Sequence, residues 1–140
     1  MIQAFVPGLP IPQGSKTAFI RGGRAVLVDS DKRLKAWRKL MTEKLEAANA
    51  GCEQLNGALS LQVIFFMPRP KTVKRDFPIT APDLDKLIRG VGDGIGQSGL
   101  IYGDDSQIVE ILARKFYADG RPTGATIRVI PLDNGFITGL

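Results

Sequence analysis

The sequence predicts an α+β fold in two layers, with a mixed sheet of about four strands and helices packed on one face. Two segments place apolar residues at helical spacing, several others alternate with a period of two, and turn residues separate them. The chain has 140 residues, enough to bury a core without disulfides or structural zinc. We therefore expect a single domain over residues 1–130 and a tail over 131–140.

Alternation and turn residues predict strands at 3–6, 17–20, 24–28, 58–67, 107–117 and 125–130. The strand at 58–67 becomes apolar on both faces, which is typical of a central strand. A long helix is predicted at 31–49, with Asp29-Ser30 as its N-cap. Its predicted buried stripe consists of Leu34, Trp37, Leu40, Met41, Leu45 and Ala48.

A second helix is predicted at 83–97. Its apolar face carries Leu84, Leu87, Ile88, Val91 and Ile95, and a second face carries Asp85, Arg89 and Asp93. Three glycines, Gly90, Gly92 and Gly94, each lower helix propensity by about 1 kcal/mol relative to alanine. We therefore expect packing to hold this helix, with its glycines allowing another backbone to approach closely.

The composition excludes several kinds of chemistry. The chain has no histidine and a single cysteine, Cys52, which rules out a Ser-His-Asp triad, histidine-ligated zinc and an internal disulfide. No apolar run is long enough to cross a bilayer and the N-terminus lacks a secretion signal, so we expect a cytoplasmic protein. Catalysis would depend on carboxylates, lysines, hydroxyls or an oxygen-bound metal.

Charge is distributed unevenly along the chain. The net charge is +5, yet the segment 83–105 contains five aspartates against Lys86 and Arg89, so it carries −3 and the remainder +8. A basic protein with one acidic segment suits a polyanionic partner and a bound cation. Candidate phosphate contacts lie on the first helix, in the proline-rich loop that follows the central strand, and near the N-terminus: Lys16, Arg33, Lys35, Arg38, Arg69, Lys71, Lys74 and Arg75. A solvated surface would explain the same charges.

The aspartates of the acidic segment are candidate metal ligands. A helix that returns to a strand can bring Asp105 beside Asp83 and Asp85, and clustered carboxylates favour Mg²⁺ or Mn²⁺ over zinc. Such an ion assists phosphodiester hydrolysis, and a neighbouring cation stabilises the transition state. Structural alternatives stay open: a helix cap at Asp83, an Asp85–Arg89 ion pair, and a turn at Asp104-Asp105.

Three segments carry a family resemblance. They read Pro82-Asp83-Leu84-Asp85-Lys86-Leu87-Ile88-Arg89, followed by Asp93; then Tyr102-Gly103-Asp104-Asp105-Ser106-Gln107-Ile108; then Lys115-Phe116-Tyr117. Together they resemble the RusA family of Holliday junction resolvases. The opening Phe5-Val6-Pro7-Gly8-Leu9-Pro10 is similar to the start of many phage-encoded members, so the resemblance extends roughly over residues 2–130.

The resemblance implies a homodimeric, Mg²⁺- or Mn²⁺-dependent endodeoxyribonuclease that resolves four-way DNA junctions in recombination and repair. By position, Asp83, Asp85 and Asp105 correspond to the catalytic metal ligands, and Arg89 replaces the family's usual catalytic lysine. Supporting positions around the metal are implied for Asp93, Asp104, Lys86 and Lys115. Two alternatives stay open: a nuclease for flaps or other branched DNA, and a DNA-binding module without catalysis.

Overall fold

The computed structural model describes the backbone of residues 1–14, 16–29, 32–99 and 101–132, and the side chains of all of these except 16–19 and 26–29. The elements are, in order, β1 (Ile2–Pro7), β2 (Lys16–Arg21), β3 (Arg24–Asp29), α1 (Arg33–Ala48), β4 (Leu59–Met67), α2 (Leu84–Ser98), β5 (Ile108–Tyr117) and β6 (Gly124–Pro131). A short 3-10 turn, Asp105–Gln107, leads into β5.

Four of these strands form one mixed sheet in the order β1-β6-β4-β5. Strand β6 is antiparallel to both β1 and β4, whereas β5 runs parallel to β4. Strands β2 and β3 form a separate hairpin. The interior position predicted for β4 is confirmed, and β5 lies at an edge of the sheet.

Both helices contribute to a single core with one face of the sheet. Leu61, Val63 and Phe65 of β4 are almost completely buried and belong to the same cluster as the buried residues of α1 and α2. On the opposite face Ile64 and Leu112 are exposed. The predicted two-layer α+β architecture is therefore confirmed, because the apolar side chains of both helices and of one sheet face are removed from water together.

Helix α1 begins later than predicted. Lys32 is its N-cap and makes no side-chain capping bond, so the N-cap predicted at Asp29-Ser30 is wrong. Asp29 ends β3 instead, and Ser30 and Asp31 lie outside the described residues. The buried stripe is confirmed at Leu34, Trp37, Met41 and Leu45, with Leu40 partly buried. At its end the prediction fails, since Ala48 is exposed and Asn49 is buried.

Helix α2 is held by close packing, as its glycines predicted. Leu87, Val91 and Ile95 are fully buried or nearly so. A Cβ at Gly90 would lie 3.3 Å from the backbone oxygen of Ile11, whereas a Cβ at Gly92 would meet nothing within 4 Å. The helix ends at Gly99, whose φ of 64° is a left-handed conformation that favours glycine.

The C-terminal boundary differs slightly from the prediction. Strand β6 continues to Pro131, and the backbone N–H of Leu132 donates to the oxygen of Ala58 at 2.9 Å. The start of the predicted tail therefore belongs to the sheet. Residues 133–140 lie outside the described part of the chain.

Candidate active site

The two aspartates at the start of α2 have little structural role. Asp83 is the N-cap residue, as predicted, but its side chain makes no capping hydrogen bond. Its carboxylate lies 3.8 Å from Nζ of Lys86, and both side chains are more than half exposed, so solvent screens this ion pair. Among the described residues, neither Asp85 nor Arg89 has an ion-pair partner. The alternative of an Asp85–Arg89 surface ion pair is therefore wrong.

Asp93 lies further along α2 and is partly engaged. Its carboxylate is 3.4 Å from a terminal guanidinium nitrogen of Arg38, with side chains 44% and 13% exposed respectively. The same Arg38 guanidinium donates to Gln13. Asp93 therefore links α2 to α1, while its exposed side remains open to solvent.

Asp104 and Asp105 have different environments although they are adjacent. Asp104 caps the 3-10 turn by accepting from the backbone N–H of Ser106 at 2.8 Å, and this hydrogen bond is the main reason that the pKa of Asp104 is lowered. Gln107 completes the capping box through the backbone N–H of Asp104 at 3.0 Å. Both aspartates therefore belong to a turn, as that alternative stated, but among the described residues only the Asp104 side chain makes a capping hydrogen bond.

Asp105 lies against the second half of α2, beside Tyr102. The Tyr102 ring is buried, and burial first, then the nearby charges of Asp105 and Asp93, raise the pKa of Tyr102. Its hydroxyl faces Asp105 without reaching the geometry of a full hydrogen bond, and no described residue accepts one from it. A cavity of about 230 Å³ here is lined by Gly96, Tyr102, Gly103, Asp104 and Asp105.

The predicted ligands are therefore held at opposite ends of α2. Asp85 and Gly96 lie on the same side of the helix, eleven residues apart, which corresponds to ~16 Å along its axis. Asp105 contacts the Gly96 end, while Asp83 and Asp85 lie at the start. Among the described residues no three carboxylate, histidine or cysteine side chains form a group that could hold a metal ion.

Strand β5 runs alongside α2 in the opposite direction. Lys115, near its end, donates from Nζ to the backbone oxygens of Thr80 at 3.1 Å and Pro82 at 2.8 Å, directly before Asp83. Ile111 points to the same side of β5 as Lys115 and is 53% exposed, and Val109, at a register shift in the pairing with β4, is 63% exposed. We call the open space between α2 and this side of β5 the α2–β5 groove.

The candidate DNA contacts fall into three groups. Arg33 and Lys35 on α1, and Lys71 and Lys74 on the loop after β4, are exposed. The guanidinium of Arg69 instead binds Asp119 at 2.7 and 2.8 Å and lies 4.1 Å from the centroid of the Tyr117 ring. Arg75 donates to the Tyr117 hydroxyl at 3.2 Å, so these two arginines hold the loop in place. The side chain of Lys16 lies outside the described part.

Sequence reasoning missed three participants: Gly96, Tyr102 and the Arg69–Asp119 pair. Gly96 and Tyr102 contact Asp105 from the helix and from the segment before the turn, contacts that no local pattern specifies. The eleven-residue spacing shows from the sequence that Gly96 and Asp85 share one side of the helix, but it does not predict which residue contacts Gly96. Arg69 and Asp119 are fifty residues apart in the chain, so only the fold brings them together.

The fold and these carboxylates define a class of protein: an α+β domain with acidic side chains along the groove between a helix and an edge strand. Endodeoxyribonuclease RusA is the family that matches the chain, over residues 7–130. This chain belongs to the RusA family, a family of nucleases that in general depend on divalent metals and bind branched DNA. It is also 29% identical over 143 residues to the uncharacterized protein YqaN of Bacillus subtilis (strain 168), covering 92% of this chain and 96% of that protein.

Within the described residues, neither α1 nor α2 has the length and the apolar composition of a membrane-spanning helix.

Proposed function

We propose that this protein is a Mg²⁺- or Mn²⁺-dependent endonuclease that resolves four-way DNA junctions as a homodimer, in the cytoplasm of a bacterial or phage-infected cell. The proposal rests on one observation: the carboxylates that correspond to the family's metal ligands have almost no structural role in the fold. Asp83 caps nothing, and Asp85 and Asp105 have no ion-pair partner in the described part of the chain. Exposed carboxylates that the fold does not use are suited to a metal ion and its phosphate ligand.

The donor set suits a hard divalent ion, because Asp83, Asp85 and Asp105 offer oxygen only and the chain has no histidine. Bound there, the ion would supply Lewis acidity at the scissile phosphate. Arg89, exposed on α2, would hold the phosphate and stabilise its developing charge, with Lys86 as a second cation. Lys115 fixes the backbone before Asp83 through its two carbonyl contacts, and Asp93 positions Arg38.

The homodimer we propose forms by pairing β5 with β5 of a second copy. In the described part of the chain β5 pairs only with β4, so its other edge is open, and Leu112 is 56% exposed. Glu110 and Arg114 flank Leu112 on the same face of the strand. Antiparallel pairing centred on Leu112 would place each Glu110 opposite Arg114 of the other copy, a favourable cross-strand pair. Self-complementary contacts of this kind are what a two-fold axis requires.

The same pairing offers an explanation for the separated carboxylates. Antiparallel strands would align Val109 of one copy with Lys115 of the other, and Lys115 contacts the residue before Asp83. Asp105 of one copy would then lie towards Asp83 and Asp85 of the second. We propose that the metal site is completed between two copies, which also yields two sites related by two-fold symmetry for two opposed incisions.

The DNA arms would lie against exposed basic residues. Arg33, Lys35, Lys71 and Lys74 are exposed, and we propose that they contact phosphates together with Lys16. We propose that Arg38, Arg69 and Arg75, which contact Asp93, Asp119 and Tyr117, shape this surface and supply positive potential. Such contacts make binding dependent on salt and independent of base sequence.

A cleavage assay with a synthetic mobile four-way junction tests the function. With Mg²⁺ or Mn²⁺ we expect paired, symmetric incisions in the junction and little cutting of linear duplex present in the same tube. Asp85→Asn should abolish cleavage and leave junction binding in gel shifts close to wild type. Asp76→Asn, which changes an exposed aspartate outside the groove, is the matched control and should cleave normally. Preferred cutting of flaps would favour the nearest alternative, and absence of any metal-dependent cutting would favour a DNA-binding module.

A further inference from the structure

The carboxylate of Asp105 occupies a space that exists only because residue 96 is glycine. A Cβ placed at Gly96 would overlap Oδ1 of Asp105 and would lie 3.1 Å from both its Cγ and its Oδ2. Real Cβ atoms almost never approach other atoms so closely, so a larger residue at 96 requires Asp105 to move. The backbone of α2 thus sets the position of this side chain.

Tyr102 faces the same carboxylate. The side chain of Tyr102 is 2% exposed, and its hydroxyl has no hydrogen-bond partner among the described residues. Burying an unpaired hydroxyl is unfavourable, so its presence calls for an acceptor. Asp105 and Asp93 are the charged groups that act on it. A tyrosine O–H can donate to a carboxylate oxygen.

We propose that Gly96 and Tyr102 are positioning residues for Asp105, and that together they orient its carboxylate for a divalent metal ion. Gly96 lets the carboxylate lie against the helix, and with the ion bound the Tyr102 hydroxyl would donate to one oxygen while the other is directed to the ion. This inference rests on the proposed function. Donors to a metal-binding group commonly determine its orientation and the affinity of the site.

Asp104 does not orient the Asp105 side chain. Its carboxylate is already used by the Ser106 backbone N–H at 2.8 Å, and Gln107 fixes the same turn through backbone oxygens of Leu55 and Gly57, both at 3.1 Å. The turn therefore fixes the backbone of Asp105 and leaves its side chain free. Gly96 and Tyr102 are the described contacts that remain to orient that side chain.

Mn²⁺ titration of the full-length protein, followed by the loss of the free-ion electron paramagnetic resonance signal, tests the proposal without relying on cleavage. Tyr102→Phe should raise the Mn²⁺ concentration for half-saturation by about tenfold or more. Its thermal unfolding temperature without metal should not fall, since the variant removes only an unpaired buried hydroxyl. Excess Mn²⁺ should restore most of the junction cleavage rate, as expected of a residue that positions a ligand.

Gly96→Ala should weaken Mn²⁺ binding at least as strongly. Gly92→Ala, one turn earlier where a Cβ meets nothing within 4 Å, is its matched control and should bind Mn²⁺ like wild type. Tyr117→Phe is the matched control for Tyr102, because it removes a hydroxyl that contacts Arg75. Wild-type affinity in both Tyr102→Phe and Gly96→Ala would overturn this inference alone. A wild-type protein that binds no Mn²⁺ would overturn the proposed metal site, and this inference with it.

Discussion

The two halves of β5 both pair with β4 but have different surroundings. Residues 115–117 contact the loop after β4: Lys115 binds two backbone oxygens of that loop, and the Phe116 ring lies 5.9 Å from the ring of Phe77. Residues 108–113 include Val109, Ile111 and Leu112, all more than half exposed, and follow directly after Asp105 and its turn. We call these segments the covered half and the bare half.

The comparison separates residues used by the fold from residues available for function. In the covered half, charged and aromatic groups have partners within the chain. In the bare half, a long open strand edge and exposed apolar side chains remain, although such edges are usually protected in natural proteins. The proposed contact with a second copy belongs to the bare half, and Asp105 of the proposed metal site directly precedes it.

The largest expected effect is on junction cleavage, at Asp105, which directly precedes the bare half. Asp105→Asn should slow junction cleavage by more than about 100-fold, because the position loses its negative charge for the proposed metal. Unfolding without metal should not become easier, since Asp105 has no ion pair among the described residues. Asp104→Asn keeps a capping oxygen and should lose much less activity. Gel-based cleavage rates with calorimetric unfolding check both, and wild-type cleavage by Asp105→Asn would remove this residue from the mechanism.

A charge exchange tests the edge of the bare half. The proposed dimer contains two equivalent pairs, each between Glu110 of one copy and Arg114 of the other. Glu110→Lys would convert both favourable pairs into repulsive ones. At about 0.2–1 kcal/mol for each of the two pairs, dimer affinity should fall by roughly two- to thirty-fold. Sedimentation equilibrium measures this effect directly.

The double variant Glu110→Lys/Arg114→Glu restores the pairing with its charges reversed and should recover the dimer. Glu43→Gln, on the exposed part of α1, provides a control for changes in net charge. Recovery in the double variant is specific to an antiparallel β5 contact. A wild-type chain that stays monomeric at high concentration, or unchanged affinity in Glu110→Lys, would contradict the proposed interface.

The smallest expected effect lies beside the covered half, at the Arg69–Asp119 pair. The hydrogen bond from Arg69 lowers the pKa of Asp119, so its folded pKa lies below the unfolded one. The contribution of this group to stability is therefore complete above about pH 4 and is lost as the pH falls through the folded value. Asp119→Asn should show a shallower loss of stability below pH 4 than wild type in acid unfolding followed by circular dichroism. Identical acid profiles would show that the pair contributes nothing to folding.

Much of the fold could be predicted because local patterns are set by the geometry of helices and strands. The alternation of β4 and the apolar face of α2 identified both elements within one or two residues. The start of α1 was predicted wrongly, because Asp29-Ser30 is a good capping sequence locally but the pairing of β3 with β2 extends through Asp29. Cross-strand hydrogen bonds thus prevailed over a local capping preference.

The sequence by itself determined which residue types are available: carboxylates without histidine, a basic remainder and a family pattern at Asp83, Asp85 and Asp105. The tertiary structure decided where they lie, placing Asp105 against Gly96 and away from Asp85, and using Asp104 and Arg69 for the fold. The physical reason is that a side chain's identity is encoded at one position. Its distance from another depends on how helix, strand and loop pack, which no single segment specifies.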